Sequence, residues 1–174
     1  MCIRDRFNYF DEHFDENQWD PGLIIFLCDS IFPEVQDFGT HVLGKYFKDE
    51  HGEKYLLALS EHPDPIIQLY CTNYLDRYAH ASMEKLNRLR DYFERILHSV
   101  NVKRVAKLRV FHFLKKQSLL GVEYGKYVAD LLNHLIGSIA VSENERYVEL
   151  LYAIKMKYPD VEADIQEVPL EIRD

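Results

Sequence analysis

Apolar residues recur along most of this chain at intervals of three and four, the spacing that places them on one face of a helix. Val35, Phe38, Val42, Leu43 and Tyr46 form one such set, and Ile67, Tyr70, Cys71, Tyr74, Leu75 and Tyr78 form the next. Ser82 to Ser99 predicts a long amphipathic helix with Leu86, Leu89, Phe93, Ile96 and Leu97 on one side. Another helix follows with Asn101 as its N-cap and Val102, Val105, Ala106, Val110, Phe113 and Leu114 as its apolar face. Val122 to Ala140 predicts one more, and Ser142-Glu-Asn-Glu145 predicts a capping box opening a last helix that Pro159 ends. The seven Gly and six Pro gather near the predicted helix ends, which favours helices over a turn-rich β fold.

The chain repeats itself at a constant step, the one that carries Leu27 onto Leu59. Leu27–Tyr46 aligns without gaps onto Leu59–Tyr78, with Leu27/Leu59, Pro33/Pro65, Gln36/Gln68, Thr40/Thr72, Leu43/Leu75 and Tyr46/Tyr78 identical. Ile24/Leu56, Ile25/Leu57, Val35/Ile67, Phe38/Tyr70 and Lys45/Arg77 are similar. Ordinary composition gives about one chance identity over such a window. Each unit is expected to be a short helix (GLIIFLCDSIF, then EKYLLALSEH), a turn with Pro, and a longer helix (PEVQDFGTHVLGKYF, then PIIQLYCTNYLDRY). Asp20-Pro21 and Asp64-Pro65 carry start signals, an acid at the N-cap and Pro at the first helical position. A helix pair of this size cannot cover its own apolar face, so stacking on neighbours is required.

These elements resemble HEAT-type repeats: a short helix, a turn with Asp or Pro, and a longer helix starting Pro-x-Val/Ile-Gln. The stretches SVNVKRVAKLRVFHFL and LIGSIAVSENERYVELLYAIKMKYPD are also similar to the C-terminal region of large bacterial HEAT-like proteins. The resemblance implies an all-α, α-α superhelix, a HEAT-like solenoid of about four antiparallel helix pairs over residues 20–158. In such solenoids the second helices line the concave face.

Outside that span, Met-Cys-Ile-Arg-Asp-Arg resembles the translation of a sequencing adapter, so residues 1–6 are expected to be an artefact and Cys2 not native. Residues 7–19 are expected to be the stump of a preceding repeat and a linker, because Tyr9-Phe10-Asp-Glu-His13 echoes Tyr46-Phe47-Lys-Asp-Glu-His51. Residues 159–174 are expected to be an acidic tail, extended over the last repeat.

Charge divides the chain. Residues 7–64 carry 13 acids and 3 bases, residues 65–120 carry 4 acids and 11 bases, and residues 121–174 carry 11 acids and 5 bases. Within the basic middle, Lys103, Arg104 and Lys107 fall at i, i+1 and i+4 of one predicted helix, with Arg109, Lys115 and Lys116 following. This ridge is the candidate partner-binding site, for an acidic peptide or domain, with a merely solvated helix face as the competing reading.

Motifs of chemistry are sparse. Gly121 and Gly125 stand apart with no Lys-Ser/Thr, so no phosphate loop is expected. The eight His residues share no ligand spacing, and no metal or cofactor is expected. Cys28 and Cys71 sit inside apolar helical patterns as buried small hydrophobes in a reducing compartment, and Trp19 is expected to pack against a helix start. The expected protein is a cytoplasmic, non-catalytic interaction scaffold, the C-terminal repeats of a larger protein. The alternative is a nucleic-acid-binding HEAT-like module, opposed by the net charge of −8.

Overall fold

The computed structural model describes residues 3–98, 104–136 and 141–163. Every regular element among the described residues is helical: α1 (Ile3–His13), α2 (Pro21–Cys28), α3 (Pro33–Tyr46), α4 (Gly52–Ser60), α5 (Pro65–Cys71), α6 (Leu75–Ala79), α7 (Met83–Arg88), α8 (Arg90–His98), α9 (Arg104–Ser118), α10 (Val122–Ile136) and α11 (Val141–Lys157). The chain divides into two compact units, Met1–Val110 and Phe111–Asp174, with the boundary inside α9.

The helices of the first unit begin where local chemistry starts them. The Asp20 carboxylate accepts from the Gly22 N–H at 2.6 Å, and the Asp64 carboxylate accepts from the Ile66 N–H at 2.7 Å. Pro21, Pro33 and Pro65 each occupy a first helical position. There the missing N–H is no loss, because the first turn has no acceptor for it. Replacing Asp64 by Ala should cost about 1 kcal/mol of stability, the usual worth of an N-cap, read from the urea midpoint with the m-value unchanged.

The repeat step is visible in these boundaries. α3 and α5 start at the equivalent prolines, Pro33 and Pro65, and α3 and α6 end one position apart in register, at Tyr46 and Ala79. Of the predicted apolar faces, Phe38, Val42, Leu43, Ile67, Cys71, Leu75 and Tyr78 are buried, as are Leu86, Leu89, Phe93, Ile96 and Leu97. Trp19 is buried against the rings of Phe14, Phe38 and Tyr46, which is packing at a helix start as expected. Cys28 and Cys71 are free, buried thiols, and burial pushes the Cys28 thiol up to about 12 and the Cys71 thiol higher still. Neither supplies a thiolate at neutral pH.

Within the first unit each helix pair contacts the next. α2 packs on α3 and beside α4, and α4 packs on α5 and against α8. α1 lies on α3 through stacked Phe7 and Phe38 and through the Lys45–Asp11 ion pair. Between α3 and α5 the Tyr70 hydroxyl donates to the Thr40 carbonyl at 2.9 Å, and the Tyr74 hydroxyl donates to Tyr70. In the second unit, α10 packs on α11. Val161 is buried, held by Lys155 Nζ donating to its carbonyl, and Asn133 Nδ2 donates to the Glu162 carbonyl.

Several boundaries differ from expectation. α2 stops at Cys28, and residues 29–32 form the turn, where the Ser30 hydroxyl accepts from the Phe32 N–H. The helix expected over residues 65–78 is interrupted by a 3-10 turn at Thr72–Tyr74. There the Leu69 carbonyl accepts from the Thr72 hydroxyl at 2.6 Å and from Arg109 at 3.4 Å. Two side-chain donors on one carbonyl compete with the i→i−4 ladder and tighten the turn. The helix expected from Ser82 divides at Leu89, although Leu89 N–H still donates to Lys85 and Phe93 N–H to Leu89. α11 is described from Val141 on, residues 137–140 lying outside the described residues, as do the side chains of residues 141–143 and with them the expected capping box at Ser142. Val105, expected on the apolar face, is 48% exposed. Asn101 and Val102 lie outside the described residues, as does the tail from residue 164.

Candidate partner-binding surface

α9 carries the basic side chains. Ala106, Val110, Phe113 and Leu114 are buried and set its inward face. Arg104 is exposed and Lys107 half-buried, three residues apart and therefore neighbours on one flank of the helix. Lys103 lies outside the described residues. Arg109 follows Lys107 by about 200° of helical rotation, so it projects from the opposite flank. Sequence proximity had grouped these cations, and the helical twist divides them.

Arg109 has its own acceptors. Its Nη1 donates to Asn73 Oδ1 at 2.6 Å, to Thr72 Oγ1 at 3.3 Å and to the Leu69 carbonyl at 3.4 Å. Those groups lie at the end of α5 and in the turn after it. Two cations upstream also reach back along the chain, there to carboxylates. Lys45 Nζ reaches back to Asp11 at 2.7 Å. Arg77 Nε donates to Asp49 at 2.9 Å, its Nη2 donates to the Phe47 carbonyl at 3.1 Å, and the guanidinium lies over the Phe47 ring. Lys45, Arg77 and Arg109 are evenly spaced, at the same step that relates Leu27 to Leu59. At each step a cation on α3, α6 or α9 reaches acceptors on an earlier part of the chain. The Lys45 hydrogen bond holds the Asp11 carboxyl below its ordinary range, and the same bond raises Lys45. The signal for this ladder was present in the sequence, since the Lys45/Arg77 equivalence continues one period further to Arg109.

Lys115 and Lys116 are exposed near the end of α9, in the second unit. Two clefts lie elsewhere in the first unit. One of about 330 Å³ between α1 and α3 is lined by Phe7, Phe38, His41 and the carboxylates of Asp11, Glu34 and Asp37. The other, about 340 Å³, lies at the turns following α2 and α4 and includes Asp29, Glu61 and the buried His62. The His62 Nδ1 accepts from the Asp64 N–H at 2.9 Å, and its Nε2 faces Asp29 at 3.6 Å. His62 thus ties the two turns together. Among the described residues no three His, Cys, Asp or Glu side chains gather to hold a metal ion, and no helix is long and apolar enough to cross a membrane.

No family model matches the chain, and no curated protein and no solved structure matches it.

Proposed function

We propose that this chain is a HEAT-like stack of helix pairs serving as a non-catalytic protein-interaction scaffold. An acidic partner docks on the α9 flank of Arg104 and Lys107, with Lys103 next to them in sequence. The observation that carries the stacking is the shared period of sequence and contacts. Helices α2, α4 and α8 neighbour one another in turn. A cation recurs at the repeat step, as Lys45, Arg77 and Arg109, and reaches acceptors on an earlier part of the chain. An array held by nearest-neighbour contacts presents long side-chain rows suited to extended partners. Arg109 belongs to the joint between α9 and α5, so on this reading its role is to position α9. The docking surface is the other flank.

The test is a triple charge reversal, Lys103→Glu, Arg104→Glu and Lys107→Glu, probed with a fluorescein-labelled amphipathic peptide of Glu and Leu. The circular dichroism should stay helical while affinity for the peptide falls about tenfold or more. Equal affinity in the variant would refute the assigned surface. Retention of a duplex DNA fragment, lost steeply with added salt and lost in the same variant, would replace the acidic protein partner with nucleic acid.

A further inference from the structure

The first unit leaves large apolar side chains in solvent at one edge. Phe26 is 73% exposed, Ile31 87%, Phe32 59% and Ile66 60%. Phe26 lies on α2, Ile31 and Phe32 form the turn into α3, and Ile66 is the second residue of α5. The Asp29–His62 contact brings the turns before α3 and α5 together. Single exposed apolar residues are ordinary, but four beside two adjoining turns mark a surface that another molecule covers.

The charge around this edge says what kind of molecule. From Phe7 to Gly44 the sequence contains eight acids and no Lys or Arg. Asp29 flanks Ile31, and Glu34 follows Phe32 by two positions. Glu34 and Asp37 are solvent-accessible, and among the described residues neither carboxylate has an ion-pair partner. Both line the cleft between α1 and α3 together with Phe7 and Phe38. Arg95 pairs with Glu61 at the turn after α4, and Lys45 pairs with Asp11. Among the described residues, the carboxylates left without an ion-pair partner on the rim of this edge are those of Glu34 and Asp37, which favour a cationic partner with large apolar anchors over an acidic one. The same rim disfavours a membrane, whose cytoplasmic leaflet is itself anionic.

We infer that the edge formed by Phe26, Ile31, Phe32 and Ile66, with Glu34 and Asp37 on its rim, docks a cationic amphipathic segment of a protein partner. Such a segment seats Leu or aromatic side chains against the four apolar residues and places Lys or Arg opposite the two rim carboxylates. This surface is separate from the basic flank of α9 and of opposite charge, so neither assignment depends on the other.

The experiment uses the full chain and a fluorescein-labelled amphipathic peptide of Lys and Leu, followed by anisotropy at two salt concentrations. One variant is Ile31→Ser with Phe32→Ser. Position 32 is the N-cap of α3, where Ser is a favoured residue, so this variant keeps its fold. A second variant is Glu34→Lys with Asp37→Lys. Each should weaken the Lys/Leu peptide roughly tenfold or more, the scale expected for loss of central anchors. The α9 triple reversal should not weaken it. Equal affinity in the wild type and both edge variants would overturn the inference. So would sedimentation showing a wild-type dimer that Ile31→Ser/Phe32→Ser dissociates, because the occupant would then be a second copy of the chain.

Discussion

Leu43→Ala and Leu75→Ala should each remove about 2–5 kcal/mol of folding free energy, the range for truncating a fully buried Leu. The two residues stand at the same place in consecutive repeat units, and both are buried, at 0% and 2% exposure. Leu43 lies beyond Phe38 on α3, and Leu75 opens α6 after the 3-10 turn. Surroundings this enclosed relax only partly around a truncated side chain, so the cavity cost adds to the lost transfer energy. Trp19, the only tryptophan, reports on the first unit through its contacts with Phe14, Phe38 and Tyr46. Urea titrations followed by its fluorescence and by circular dichroism measure both variants. A loss below about 1 kcal/mol at either position would show that the repeated leucines do not share one buried role.

Gly39→Ala is the second large effect. A Cβ at Gly39 would sit 2.6 Å from the Cys28 nitrogen and 2.7 Å from the Leu27 carbonyl carbon. These are backbone atoms of α2, and they cannot swing aside. α2 and α3 would have to separate, at a cost of about 1–3 kcal/mol for overpacking. Gly44→Ala is the control on the same helix. Its Cβ would meet the Tyr70 hydroxyl at 2.8 Å, the far end of a side chain that can turn at the expense of its bond to Thr40. There the gain in helix propensity, up to about 1 kcal/mol, offsets the disturbance. Chemical denaturation of the two variants should therefore give a clear loss for Gly39→Ala and a small change for Gly44→Ala. Equal effects would mean that the backbones of α2 and α3 do not meet at Gly39.

The contrast between Gly39 and its equivalent, Cys71, shows where sequence comparison stops. The alignment places them at one position, yet the first pair uses the absence of a side chain to bring two backbones together. The second pair fills the same place with a thiol 3.6 Å from the Tyr55 carbonyl. A similar divergence separates α3 from its counterpart. Both helices start at a proline and carry a threonine bonded back by three positions, Thr40 to Asp37 and Thr72 to Leu69. Only the second is broken into 3-10 geometry, because only there does Arg109 reach over from α9.

What could be derived from residue order alone was whatever depends on near neighbours along the chain. The helical class, the starts at Pro21, Pro33 and Pro65, the capping acids Asp20 and Asp64, and most of the buried stripe follow from spacing and from side chains a few positions apart. The fold itself had to decide which long side chain goes where. Arg104, Lys107 and Arg109 look alike in the sequence, but helical twist sends Arg109 away from the other two and onto α5. Val105 points to solvent and the turn residues Ile31 and Phe32 stand exposed, although their hydrophobicity alone would have buried them. The physical reason is one of range. Hydrogen bonds within a turn or a cap are determined by a few adjacent residues, whereas the direction of a guanidinium or the cover over an apolar edge depends on groups a full repeat or more away along the chain.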